Sequence, residues 1–442
     1  MTAIRQLSGW GRHPVVRADE QLSEDLLEAT CDVRLTRGLG RSYGDASLPA
    51  EAGARVAGTV LADRVLRFDP ATGILRAEAG FPLYRLNVLL NHRGFATPVS
   101  PGTQFVTLGG MVASDVHGKN HHASGCFGEH VRALRMRVAD GRVLEVTERT
   151  EPELFRATLG GMGLTGHILE VEVQLERTPS PWIWTETERV PNLQALITRL
   201  RLASQEWPFT VSWVDCTSRG RRMGRGILTK GRWASRDEAP PHPPRPKIGL
   251  SVPFEMPGFL INPFTVRVFN ALYYRKQLRR TRRGITHPQS FFYPLDAIAH
   301  WNRLYGRRGF TQYQCVLPDT DDLKVPHRFF EVLVRYGGAS PVSVIKDCGA
   351  EGKGVLSFPM PGISIALDLA MRDDTQRCVD ALNEIVIEAG GRIYLAKDAL
   401  TRPEHFKQME PRFDTWQAIR DRWDPERRIV TAQSVRLLGD RP

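Results

Sequence analysis

The stretch PGTQFVTLGGMVASDVHGKNHHASGCFGEHV, Pro101 to Val131, decides how this chain is read. Its last eighteen residues, from Ser114, hold four histidines, one lysine and one cysteine among glycines. A metal site is one reading, since His117 and His121 have the four-residue interval that places two ligands on one helix face. Gly118 and Asn120 argue against a helix there, so no metal is expected. Structural histidines in a loop are the plain alternative. The third reading is a loop that lies flat against a large ligand, with Gly118 permitting close backbone approach.

Two further glycine turns lie outward of this stretch: Gly38–Gly44 within VRLTRGLGRSYGD, and Gly160–Gly166 within LGGMGLTGHILEVEV. Glycine allows positive φ and lets backbone N–H groups close on an anion. One such turn has dull explanations; three in one domain point to a pyrophosphate cofactor. None fits GxGxxG between a strand and a helix, which disfavours a Rossmann site.

The chain has 442 residues, 41% hydrophobic and 25% charged, enough for two domains or three. No run approaches the ~18–20 apolar residues of a membrane span, and MTAIRQLSGWGRHP lacks a signal-peptide core. Six scattered cysteines read as reduced thiols. A soluble, cytoplasmic chain is predicted, peripheral at most to the inner face of a membrane. The net charge of +11 favours anionic partners: nucleic acid, phosphorylated ligands or an anionic bilayer.

Residues 131–146 alternate apolar and polar around Asp140-Gly141, predicting a hairpin. From Pro152 the pattern is helix, glycine turn, strand. Composition changes after Thr178-Pro179-Ser180-Pro181, which sets the first domain at 1–180 and the second at 181–391. Strands at FTVSWVDC, GRGILTKGRW, TQYQCVLP, VSVIKDC and ISIALDLAM alternate with helical patterns near Arg328–Tyr336 and Thr375–Ala389, an α+β pattern. Residues 392–442 are read as a segment returning to the first domain. A proline-rich loop, Ala239–Lys247, and a basic run, Arg275, Lys276, Arg279, Arg280, Arg282 and Arg283, lie inside the second.

GWGR, TRGLGRSYGD, the opening stretch and LGGMGLTGHILEVEV closely resemble the decaprenylphosphoryl-β-D-ribose oxidase family, within the vanillyl-alcohol-oxidase-like FAD enzymes. The similarity continues through FFYPLD, WNRLYG, GFTQYQCVLP, LSFPMPG, GGRIYLAKDALT and WDPERRIVTAQSVRLL, nearly the whole chain. The resemblance implies a two-domain flavoprotein: an FAD-binding domain plus a substrate domain with an antiparallel sheet. It implies oxidation of the C2 hydroxyl of a polyprenyl-phosphate ribose to the 2-keto sugar. A separate NAD(P)H-dependent keto-sugar reductase would complete epimerisation to the arabinose donor of the cell envelope. Oxidases of free alditols and aldonolactones are the alternative inside the superfamily. A basic binding protein on a flavin-type fold is the non-enzyme alternative.

In those alditol and aldonolactone oxidases a histidine just before the serine of the first glycine loop tethers the flavin. Here that position is Arg41, so FAD is expected to bind non-covalently. The matching motifs imply a cofactor cradle of Arg37, Gly38, Gly40, Arg41, Ser42 and Tyr43, continued by Pro101, Gly102, Thr103, Thr107, Gly109 and Gly110. Ser114, His117 and Gly118 are implied at the flavin ring, and Gly125, Gly163 and Ile168 on the adenine and ribose side. Ordinary turn hydrogen bonding is the alternative for the single hydroxyls. His121 and His122 are read as supports.

The implied substrate side comprises Lys119, Gln312, Gln314, Lys346, Ser364 and Lys397, with Lys397, His117 and Tyr293 as catalytic candidates. A lone lysine is usually solvated surface. YLAKDAL gives Lys397 an apolar setting in which a desolvated amine could meet a sugar hydroxyl. Two positions depart from the mycobacterial pattern: Ala366 stands for a cysteine and Ser364 for an asparagine, which leaves the sugar open. The segment between Arg12 and Arg37 also looks shorter than in the mycobacterial enzyme. The basic run follows the apolar FLINPFTVRVFNALYY and reads as a dock for an anionic membrane, not a nucleic-acid site.

Overall fold

The structure is a computed structural model that describes residues 4–246, 249–319 and 322–442; Lys247, at the end of the proline-rich loop, lies outside the described residues. The first glycine turn follows the short strand Thr36–Arg37 in a four-stranded sheet ordered Ile4–Ser8, Val15–Leu22, Arg55–Gly58, Thr36–Arg37. A five-stranded antiparallel sheet follows, ordered Val65–Asp69, Ile74–Glu78, His167–Gln174, Val131–Arg137, Val143–Val146. Its last pair is the hairpin read at Asp140-Gly141, with Leu134 opposite Val146. The helix Leu108–Ala113 buries Leu108 and Met111 against Leu134, Val171 and Val173 of that sheet.

Eight strands form the second sheet, ordered Thr281–Thr286, Ile183–Val190, Gly226–Trp233, Phe209–Val214, Ser343–Cys348, Gly362–Ala370, Phe310–Pro318, Arg392–Ile393. Every pairing in it is antiparallel. Side chains alternate across a strand, so each strand serves two environments. Tyr313, Cys315, Leu317, Ile345, Ile363, Ile365 and Leu367 face the helices Leu193–Glu206, Lys324–Arg335 and Thr375–Glu388 and form one apolar core with them. The intervening residues Gln312, Gln314, Lys346, Ser364 and Asp368 therefore share the opposite face. Register confirms the grouping: Gln312 pairs with Asp368, Gln314 with Ala366, and Lys346 with Ser364.

Arg392–Ile393 closes that sheet, so the substrate-side sheet extends two residues past 391. The helix Pro403–Met409 still packs on Thr375–Glu388 of the second domain, with Met409 in its core, and the helices Phe413–Trp423 and Ala432–Leu438 then return to the first domain. Trp416 is buried and donates from Nε1 to the Ala157 carbonyl at 2.9 Å. The Ala432 amide donates to the Leu48 carbonyl at 2.9 Å. Arg436 meets Asp45 at 2.7 Å and Asp398 at 2.8 Å, joining the end of the first glycine loop to the segment that carries Lys397.

Both carboxylates of that clamp are buried, so removing the guanidinium leaves two unpaired charges facing each other. Arg436→Met is expected to destabilise the protein by about 3–5 kcal/mol. Guanidinium denaturation at fixed excess FAD would show this as a lower midpoint at unchanged slope.

Candidate active site

Two glycine loops from the first domain and the polar sheet face from the second meet at one place. In the first loop the amides of Gly38, Leu39, Gly40, Arg41 and Ser42 find no backbone acceptor among the described residues. Gly40 has φ +61°, a conformation in which a Cβ would also strike the Arg37 guanidinium. Successive unpaired amides around such a residue form a concavity suited to an anion. Arg37 itself turns away: its guanidinium donates to the Ser8 carbonyl at 2.7 Å and to Ser47 at 2.9 Å, fixing the loop's shape. Arg41 lies over the Trp10 ring at 4.0 Å and donates to the Phe105 carbonyl at 3.1 Å, binding the first loop to the second.

In the second loop Pro101 and Thr103 are partly buried and Gly102 is exposed. Thr107 caps the Leu108–Ala113 helix, accepting from the Gly110 amide at 3.2 Å; Gly109 is buried against Ala79. The Ser114 carbonyl accepts from the Tyr394 hydroxyl at 2.9 Å. Gly163 borders open space, whereas Gly125 closes the His121–Ser124 turn and Ile168 packs in the core of the five-stranded sheet. The Ile168 side chain thus supports the fold.

His117 is the junction. Its Nδ1 lies 3.1 Å from Lys346 Nζ and its Nε2 lies 2.9 Å from the Gln314 side-chain amide, which donates in turn to Ser364 Oγ at 3.0 Å. Phe358 and Tyr394 pack on the imidazole. Burial, then the charge of Lys346, holds His117 well below its ordinary pKa, so the ring is neutral at pH 7. His121 and His122 point elsewhere: the Gly349 amide donates to His121 Nδ1 at 3.1 Å, and His122 Nε2 lies 2.8 Å from the Trp207 carbonyl.

Lys397 follows Tyr394 by three residues in a short turn and sits 3.9 Å from the centre of the Tyr43 ring. Tyr43, read from sequence as part of the cofactor cradle, is buried with Trp301, Tyr305 and Phe310 and forms the floor under this lysine. Gly44 makes the approach possible, because a Cβ there would fall 1.9 Å from the Asp398 carbonyl oxygen. Asp368, absent from the sequence reading, accepts from Gln312 at 2.6 Å and from the Tyr305 hydroxyl at 3.2 Å. Its signal was present: in ISIALDLAM it stands two and four residues beyond Ala366 and Ser364, on their face of the strand.

Tyr293 and Lys119 occupy a neighbouring wall. The Tyr293 hydroxyl lies 3.1 Å from Asn87 Nδ2 and 3.0 Å from Ser100 Oγ, and burial raises it to about 12. It borders a cavity of about 420 Å³ shared with Phe292, Trp233 and the His242–Pro246 loop. Lys119 Nζ donates to the Phe292 carbonyl at 2.9 Å. Among the described residues no hydrogen bond joins Tyr293 to Lys397 or His117, so these catalytic candidates are not one hydrogen-bonded group.

Burial brings Lys119 and Lys397 down to about 7 and Lys346 to about 8, and Lys346 lowers each of the other two further. Asp368 opposes this at Lys397, while burial lifts its own carboxyl to about 7. Three lysines with so few carboxylates make a site that favours anions.

The family model described as an FAD binding domain matches residues 29–147, and one described as D-arabinono-1,4-lactone oxidase matches 363–437. The chain is 32% identical to the decaprenylphosphoryl-beta-D-ribose oxidase of Mycolicibacterium smegmatis, over 99% of this chain and 98% of the relative. The chain belongs to the decaprenylphosphoryl-β-D-ribose oxidase family. An uncharacterised Streptomyces coelicolor protein is 31% identical, over 81% of this chain and 99% of its own length. L-gulonolactone oxidase of Mus musculus matches at 34% identity over a quarter of each chain.

This member of the oxidase family is therefore an FAD-dependent oxidoreductase acting on a CH–OH group, on the two-domain vanillyl-alcohol-oxidase-like fold. Its residues fit the cofactor: the unpaired amides of 38–42 suit a pyrophosphate, and the segment from Ser114 to Gly118 leads from them to the polar sheet face. Gly40→Ala is expected to weaken FAD binding by roughly tenfold, since a non-glycine residue held left-handed costs about 1–2 kcal/mol that the empty loop can relax. Flavin fluorescence titration of the apoprotein would check this, with circular dichroism confirming an intact fold.

Proposed function

We propose that this protein oxidises the C2 hydroxyl of a polyprenyl-phosphate ribose to the 2-keto sugar. The observation that carries the reading is the set of three partly buried lysines, Lys119, Lys346 and Lys397, around neutral His117. Such a site suits a substrate bearing both a phosphate and a hydroxyl to be deprotonated. FAD, when bound, supplies the acceptor for the hydride that leaves C2. Lys397 takes the hydroxyl proton, because burial keeps much of its amine neutral near pH 7. Lys346 holds the phosphate, and Gln312 and Gln314 orient the sugar ring.

A separate NAD(P)H-dependent reductase would return hydride to the opposite face of C2, completing epimerisation to an arabinose donor. The absence of a tethering histidine at Arg41, whose guanidinium is engaged by Trp10 and Phe105, supports dissociable FAD. Heat or acid denaturation is expected to release the flavin to the supernatant, and colour retained on the precipitate would refute this. We place the enzyme in the cytoplasm, at the inner face of the membrane that carries its substrate.

Lys397→Met is expected to retain FAD while anaerobic flavin reduction by the lipid-linked ribose slows about 10²–10⁴-fold. In the parent the reduction rate should fall as pH drops through about 7, where the Lys397 amine becomes protonated. Asp368 stabilises the ammonium, so Asp368→Asn should move that acid limb to lower pH. A limb that stays in place in the variant would remove Lys397 from the proton-accepting role.

A further inference from the structure

Between Glu255 and Asp296 the chain has no acidic residue and seven cations: Arg267, Arg275, Lys276, Arg279, Arg280, Arg282 and Arg283. The structure divides this segment into the helix Pro263–Lys276 and the edge strand Thr281–Thr286. The helix is fixed to the body by one face. Val266 and Asn270 are buried, Asn270 Nδ2 donates to Asp215 at 3.0 Å, and Tyr273 packs on Trp213. An Asn262–Thr265 capping box sets its start.

Its other face carries Phe264 (72% exposed), Val268 and Leu272 (63%), spaced i, i+4, i+8. Phe259 at 74% and Leu278 at 88% extend the apolar surface beyond both ends. Large apolar side chains so concentrated on a fixed helix mark a surface that meets an apolar phase. The helix ends in Arg275 and Lys276, followed by Arg279, and none of these three has an ion-pair partner among the described residues. Arg280 and Arg283 are partly spent, since they face Glu188 at 3.9 Å and Glu186 at 2.6 Å.

We propose that this helix is an interfacial anchor that inserts Phe259, Phe264, Val268 and Leu272 into an anionic phospholipid bilayer, with Arg275, Lys276 and Arg279 at the headgroups. The purpose of the anchor, though not its geometry, rests on the reading of a polyprenyl-linked substrate. Charge decides the occupant: a single-sign cationic cluster at the C-terminal end of an apolar stripe complements anionic headgroups over acyl chains. Position agrees. Trp213, on which Tyr273 packs, pairs with Val344, and Val344 with Ala366, so the helix stands on the same sheet face as Lys346 and Asp368. The Asn270 amide also donates to the Ser340 carbonyl at 3.3 Å, and the Asp368 amide donates to Ser340 Oγ at 3.0 Å. The anchor thus sits one residue away from the polar site.

The purified FAD-loaded protein should co-sediment with phosphatidylcholine–phosphatidylglycerol vesicles, with no substrate present. Electrostatic attraction is screened by salt but insertion is not. Part of the binding should therefore persist at high salt. Phe259→Ser, Phe264→Ser and Leu272→Ser together should lower that salt-resistant part at least tenfold. Arg275→Gln, Lys276→Gln and Arg279→Gln should instead abolish the preference over pure phosphatidylcholine. Bound FAD and flavin reduction by a short-chain, water-soluble substrate analogue should match the parent in both triple variants, which separates lost docking from misfolding. Equal salt-resistant binding by the apolar triple variant and the parent overturns the proposal, as does a parent that ignores vesicles. A vesicle-free dimer in sedimentation velocity that the apolar variant dissolves overturns it too, assigning the face to a second copy of the chain. Vesicle binding without oxidation of polyprenyl-phosphate ribose would refute the proposed substrate and leave the anchor standing.

Discussion

The site depends on a single guanidinium. Arg436, six residues from the C-terminus, bridges Asp45 at the end of the first glycine loop and Asp398 beside Lys397. Two buried carboxylates that close would repel strongly, and a planar fork with several donors is the group that can serve both. The clamp fixes more than itself. It holds the backbone of Tyr43 and Gly44 against residues 396–398, where the Tyr43 amide donates to the Ala396 carbonyl at 2.9 Å. Lys397 is thereby seated on the Tyr43 ring, and residues some 350 positions apart become one wall.

The eight-stranded sheet supplies the opposing wall through its alternation. One face must be apolar, because three helices bury their stripes against it. The other is freed for polar work, and Gln312, Gln314, Ser364, Asp368 and Lys346 fall on it by parity alone. Those groups lose water when the first domain covers them, which is why the lysines fall toward neutrality while Asp368 rises. Lys346 sits 3.1 Å from His117, and its charge adds to the burial that holds the imidazole neutral.

Legibility differed by residue. The glycine loops could be read because a left-handed or crowded backbone restricts the residue type locally, as at Gly40. Gln312 and Gln314 were carried by the family resemblance; their placement two apart in an apolar strand is the parity signal that puts both on one face. Asp368 had the same signal but came at the end of a run read only as a strand. Tyr43 could not be placed, since its neighbours Trp301, Tyr305 and Phe310 come from the far side of the chain. The basic run was visible as charge, but which of its members are paired to Glu186 and Glu188 is a matter of strand pairing.

The sequence by itself determined the element types, the cofactor loops and the residue chemistry, because these follow from local backbone geometry, two-residue periodicity and side-chain identity. It also carried the family resemblance. Only the tertiary structure decided which of those residues share a site. It put Lys346 on His117, set Lys397 over Tyr43 beside Asp368, and set Tyr293 on a neighbouring wall with Asn87 and Ser100. The reason is physical: desolvation and charge pairing depend on what covers a group, and here the covering comes from chain segments hundreds of residues away.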